Sequence, residues 1–80
     1  MSIYDFNVLN NTEKVFVLWN QGVSLATRNE LEYTIDLYAL SAFYVEIWYD
    51  SKSIAVENIN SFKTIKKLDA YLEDINPLQF

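Results

Sequence analysis

Between Leu31 and Asp50 the side chains change character at almost every step. Leu31, Tyr33, Ile35, Leu37 and Ala39 fall on one parity; Glu32, Thr34, Asp36 and Tyr38 fall on the other. Beyond Ser41 the alternation resumes, with Phe43, Val45, Ile47 and Tyr49 set against Tyr44, Glu46, Trp48 and Asp50. A period of two, carried by β-branched and aromatic residues, belongs to strands with one buried and one wetter face. Two such runs in succession predict a hairpin at the centre of a small antiparallel sheet.

Parity then constrains the loops. A loop of Ser41-Ala42-Phe43 aligns Ala39 with Val45, Leu37 with Ile47 and Ile35 with Tyr49. A five-residue loop would oppose Asp36 to Glu46, two like charges, so the three-residue loop is expected. VSLATR, residues 23–28, alternates as well. A three-residue loop, Arg28-Asn29-Glu30, pairs Thr27 with Leu31 and Leu25 with Tyr33. A two-residue loop would carry Arg28 into the core, and is rejected for that reason. After the polar turn Asp50–Ser53, residues 54–59 form a fourth, weaker strand, as suits a sheet edge.

The ends of the chain predict helices. Thr64 to Ile75 places Ile65, Leu68, Leu72 and Ile75 on one face, joined by Tyr71, with Thr64 as N-cap and Asn76-Pro77 as the stop. Residues 12–21, TEKVFVLWNQ, favour a strand by propensity. Their position favours a helix: Asn11 can cap, Glu13 suits the N-terminal dipole, and Gly22 fits a left-handed residue after the last turn. A helix is expected whose wide apolar stripe holds Val15, Leu18 and Trp19 with Phe16 beside them, and a short helical turn within residues 3–9; an extended form stays open for both stretches. The resulting fold is α+β: one domain over residues 1–80, a four-stranded antiparallel meander with an N-terminal and a C-terminal helix packed on one face.

WNQGVSLATR, YTIDLYALSAFYVEIWYD and FKTIKKLDAYLEDI, spanning about Trp19 to Ile75, resemble a family of small uncharacterised bacterial proteins with a helix, four-stranded meander, helix layout. The resemblance implies a short domain built on a hairpin core. It carries no activity to any residue.

Composition removes several chemistries. The 80 residues include no cysteine and no histidine, which takes away a thiol nucleophile, the usual general base and the commonest zinc ligands. A net charge of −5 repels phosphate backbones and argues against nucleic-acid binding. Residues 1–8, MSIYDFNV, hold no basic stretch and no long apolar run, so no secretory leader is expected. No apolar segment approaches the roughly 20 residues of a membrane span. A cytoplasmic protein without a membrane partner, without cofactor or metal, and without enzymatic activity is the expectation.

Three features remain as candidate sites. On the even-numbered sheet face, Tyr38, Tyr44 and Trp48 should cluster with Asp36, Glu46, Glu32 and Arg28. If both helices cover the odd face, this aromatic face looks outward and marks an interface, through which a homodimer forms or another protein binds. Cross-strand support of the sheet is the bland reading. Lys63, Lys66 and Lys67 at the start of the C-terminal helix could hold an anion or an acidic partner segment, unless nearby acids neutralise them. Asp36 and Glu46, sharing a face, could in principle act as acid and base; solvated carboxylates are the simpler reading. The function expected is therefore a non-enzymatic protein-interaction module, self-associating through the aromatic sheet face. The alternative is an acidic partner-specific binder of the inhibitor or immunity type.

Overall fold

The computed structural model describes residues 1–72. Two helices lead the chain: α1, Ile3–Asn7, and α2, Asn11–Gln21. Each begins with a reciprocal capping box. Ser2 and Asp5 exchange side-chain and backbone hydrogen bonds at α1, and Asn10 and Glu13 do so at α2. These caps explain why the β-prone run Val15–Trp19 is helical: two orphan N–H donors at each start are satisfied locally. The cap of α2 is Asn10, one residue earlier than expected.

Gly22 ends α2 for a different reason from the one the sequence offers. Its backbone is extended, with φ −78° and ψ 154°, and its N–H donates to the Leu18 carbonyl. A side-chain carbon there would come within 2.6 Å of that carbonyl oxygen. Close approach demands the glycine, and no left-handed turn is involved.

A four-stranded antiparallel sheet follows in the order β1-β2-β3-β4, with β1 Val23–Glu30, β2 Tyr33–Leu40, β3 Phe43–Asp50 and β4 Val56–Phe62. A 3-10 turn, Ile65–Leu68, then leads into α3, Asp69–Leu72. The α+β meander with helices at both ends is as the sequence predicts. Thr64 occupies the N-cap position but makes no side-chain capping bond. The expected residues Ile75, Asn76 and Pro77, and with them the expected C-terminal half of that helix, lie outside the described residues.

The register differs from expectation, and that difference reorganises the molecule. The central hairpin turns on two residues, Ser41-Ala42, so Leu37 faces Glu46, Ala39 faces Tyr44 and Tyr38 faces Val45. The first hairpin also turns on two residues, Leu31-Glu32, with Arg28 opposite Ile35. Both loops open on a residue of positive φ, Leu31 and Ser41, each at 53°. Two-residue loops match the natural twist of a strand pair, and here that preference outweighs the strain of a left-handed non-glycine residue. A bulge at Leu25 shifts the β1 register between Ser24 and Ala26.

A shift of one residue exchanges faces. Even positions of β2 now lie with odd positions of β3. The first face carries Tyr38, Leu40, Phe43, Val45 and Ile47, and it buries Phe6 of α1 and Leu18 of α2 completely. The Phe6 and Phe43 rings sit 5.7 Å apart. The opposite face carries Leu37, Tyr44 and Phe62, and Tyr71 of α3 packs on it with Leu68. The helices therefore lie on both faces of the sheet, and not together on one. The physical reason is that each face has an apolar cluster to cover once the register is set this way.

Candidate functional site

The five residues expected to form one aromatic interface divide between the two faces. Tyr38 and Asp36 lie on the α1/α2 face, where Tyr38 packs against the main core. Tyr44, Glu46 and Trp48 lie on the α3 face. Tyr44 stacks on Phe62 at 5.7 Å, and Trp48 meets Tyr33 edge-on at 5.4 Å. All three rings are half-buried, so the single outward aromatic face does not exist. Asp36 and Glu46, on opposite sides of the sheet, cannot exchange a proton through one substrate.

Among the described residues Glu46 is the one buried charged side chain, 5% exposed. The Tyr71 hydroxyl donates to Oε2 at 2.6 Å, and an Arg28 guanidinium N–H reaches the same oxygen at 3.5 Å. Trp48 Nε1 and Asn60 Nδ2 donate to Oε1 at 3.4 and 3.5 Å. Arg28 also pairs with Glu30, and its guanidinium lies over the rings of Trp48 and Tyr71. Burial alone would lower the pKa of Arg28; its hydrogen bonds to Glu30 and Tyr71 and the charge of Glu46 outweigh this and raise it. The Tyr71 hydroxyl is also held well above its ordinary range, first by burial and then by its bond to Glu46. The network ties α3 to three strands, a structural task.

The α-helical N-terminus expected beside Lys63, Lys66 and Lys67 does not form there. The helical start they flank is a 3-10 turn of four residues. Lys67 lies over the Phe62 ring at 5.4 Å and Lys63 over the Tyr4 ring at 5.9 Å. Lys66 is exposed. No acid within ion-pair distance neutralises any of the three among the described residues.

A different surface stands out. Five consecutive apolar residues, Val15 to Trp19, cover more than one full turn at 3.6 residues per turn, so they cannot all face inward. Leu18 takes the core position, Val15 and Val17 are half-buried, and Phe16 and Trp19 are left 65% and 70% exposed. Ile54, in the β3–β4 loop with φ 62°, is 74% exposed. Three adjoining clefts of 330–370 Å³ run along α2 beside these side chains. Phe16 walls two of them, and Trp19 separates a trough shared with Val56 from a cleft over Thr34, Asp36 and Tyr49. The acids Glu13, Asp36 and Asp50 border the clefts, and no lysine or arginine does. The Asp50 carboxylate accepts the backbone N–H groups of Ser53 and Lys52, which lower its pKa. Counting the directions covered by the Val15–Trp19 run would have found this surface from the sequence.

Comparison with protein-family models, with curated proteins and with solved structures finds no match to this chain. No helix among the described residues is long and apolar enough to cross a membrane.

Proposed function

We propose that this chain is a non-enzymatic, acidic interaction module that docks a partner protein bearing apolar and basic side chains along α2. The observation that carries this reading is the exposure of Phe16, Trp19 and Ile54 beside clefts whose only charged side chains are acidic. Large aromatics left exposed next to apolar clefts are the residues that anchor protein interfaces. The chain's net charge of −5 would steer a basic partner to that surface and speed its capture at low salt.

Charge also favours a foreign partner over a second copy. A two-fold contact through α2 would bring Glu13, Asp36 and Asp50 of both copies together, which is repulsive. The aromatic sheet face from which self-association was expected is divided by the register. The test compares wild type with a Phe16→Ser/Trp19→Ser variant. The expected result is a monomer by sedimentation velocity at high micromolar concentration, together with a captured protein whose retention falls with salt and is lost in the variant. A dimer that the double substitution dissociates would transfer the surface to self-association. Capture that ignores both substitutions would remove α2 as the contact.

A further inference from the structure

We infer that the cleft between α2 and the open end of the sheet receives an arginine side chain of the docked partner, its guanidinium held between the Trp19 ring and the Asp36 carboxylate. This rests on the interaction reading above and names the chemistry that the surface selects.

The cleft has a volume of about 370 Å³ and is walled by Trp19, Thr34, Asp36, Tyr49, Ser51 and Ile54, with Asp50, whose Oδ1 accepts the Lys52 and Ser53 N–H groups, at its border. Asp36 is its unusual member. It is half-buried on the sheet face between β1 and β3, paired with Thr27 across one side and Ile47 across the other. Its Oδ1 accepts one hydrogen bond, from the Thr27 hydroxyl at 2.8 Å. An ionised carboxylate can accept about four. No cation lies within ion-pair distance: both ion pairs among the described residues belong to Arg28, which is spent on the opposite face. Residues 73–80, EDINPLQF, contain no lysine or arginine that could supply one. The charge is felt nearby. Burial raises the pKa of the Tyr38 and Tyr49 hydroxyls, and the Asp36 carboxylate raises both further.

The other walls suit a guanidinium better than an ammonium. A planar cation can stack on the exposed Trp19 ring while its edge N–H groups meet a carboxylate, a geometry that a lysine ammonium does not reproduce. Thr34 and Ser51 hydroxyls, 3.3 Å apart, border the same space and can accept remaining donors. Ile54 at the rim offers apolar contact to the methylene stem and to a neighbouring apolar residue of the partner.

The probe is the blocked tripeptide acetyl-Leu-Arg-Leu-amide, titrated against the full chain at low salt. The readout is the Trp19 indole N–H in heteronuclear NMR, assigned with a Trp48→Phe variant. The expected result is a saturable shift of Trp19 and of the Thr34 and Ser51 amides. The citrulline tripeptide, isosteric but uncharged, should bind at least about tenfold more weakly, as should the wild-type peptide with Asp36→Asn, because a charge-assisted bond is replaced by a neutral one. Trp19→Leu, which keeps an apolar side chain but removes the aromatic ring, should weaken the arginine peptide more than the citrulline peptide, as read from the Thr34 and Ser51 amides. Equal binding of both peptides overturns the inference, as does equal binding of a lysine peptide. Methylguanidine binding as tightly as the tripeptide would overturn the assignment to a protein side chain. Failure here with persistent Trp19-dependent, salt-sensitive protein capture sinks the arginine receptor alone; failure of both sinks the interaction surface.

Discussion

Replacing Glu46 by glutamine tests whether the buried carboxylate holds the α3 side of the sheet. All four of its neighbours are donors: Tyr71, Arg28, Trp48 and Asn60. A carboxylate only accepts, so it matches them; an amide brings two donors of its own. With its carbonyl toward Tyr71, Gln keeps the short bond but turns its NH2 onto Trp48 Nε1 and Asn60 Nδ2. In the other orientation the NH2 faces Arg28. The loss of a hydrogen bond to a charged acceptor is worth about 1.5–3 kcal/mol, and the long contacts to Trp48 and Asn60 add less. Arg28 retains the half-exposed Glu30, so its guanidinium is not left alone and the larger penalty of a wholly orphaned buried ion is avoided. The expected loss is about 2–3 kcal/mol, which in a domain of this size corresponds to a Tm lower by roughly 8–24 °C. Urea unfolding followed by circular dichroism measures it. Glu30→Gln, removing the half-exposed partner, should lose less than about 1 kcal/mol. Tyr71→Phe should lose about 1.5–3 kcal/mol, and the double variant with Glu46→Gln should lose less than the sum. A Glu46→Gln variant within about 0.5 kcal/mol of wild type, the range of ordinary surface changes, would refute the reasoning.

Other outcomes follow from the same geometry. Leu31 is 95% exposed at φ 53°, so Leu31→Gly relieves a left-handed residue without losing burial and should stabilise by about 0.5–1 kcal/mol in the same urea assay. Leu18 is fully buried beneath α2, so Leu18→Ala should cost about 2–5 kcal/mol, with the drop read from thermal unfolding. Tyr38, Tyr49 and Tyr71 have folded pKa values raised above their ordinary value of 10.0. Above pH 10 the unfolded state therefore binds fewer protons than the native one, so stability should be complete below that pH and fall as pH rises through the raised values. Absorbance at alkaline pH should show the late titration of these three tyrosines, and Tyr71→Phe should flatten the decline.

The pattern of residues 31–50 and the polar turns were enough to predict a four-stranded meander, and capping residues were enough to predict helices before it. Periodicity specifies which residues share a face of one strand, and β2 and β3 obey it in their mutual pairing. It does not specify which face of one strand meets which face of the next. That depends on loop length, and here both hairpins close on two residues despite lacking glycine. The expected three-residue loop kept Arg28 out of the interior, since an unpaired buried cation is very unfavourable. Glu46, 18 positions further along, and Tyr71, 25 beyond that, supply the partners that make its burial tolerable.

Local chemistry thus set the elements: alternation made the strands, Ser2 and Asn10 started the helices, and the crowded Leu18 carbonyl required Gly22. The chain's own order of residues also carried the acidic balance and the surplus of apolar positions on α2, since both are counts that need no contact to read. Long-range contact alone assigned Tyr38 and Trp48 to opposite sides, buried Glu46, and left Trp19 beside Asp36. Those outcomes depend on groups far apart in the chain satisfying one another, and a pairing energy of that kind is absent from any window of sequence.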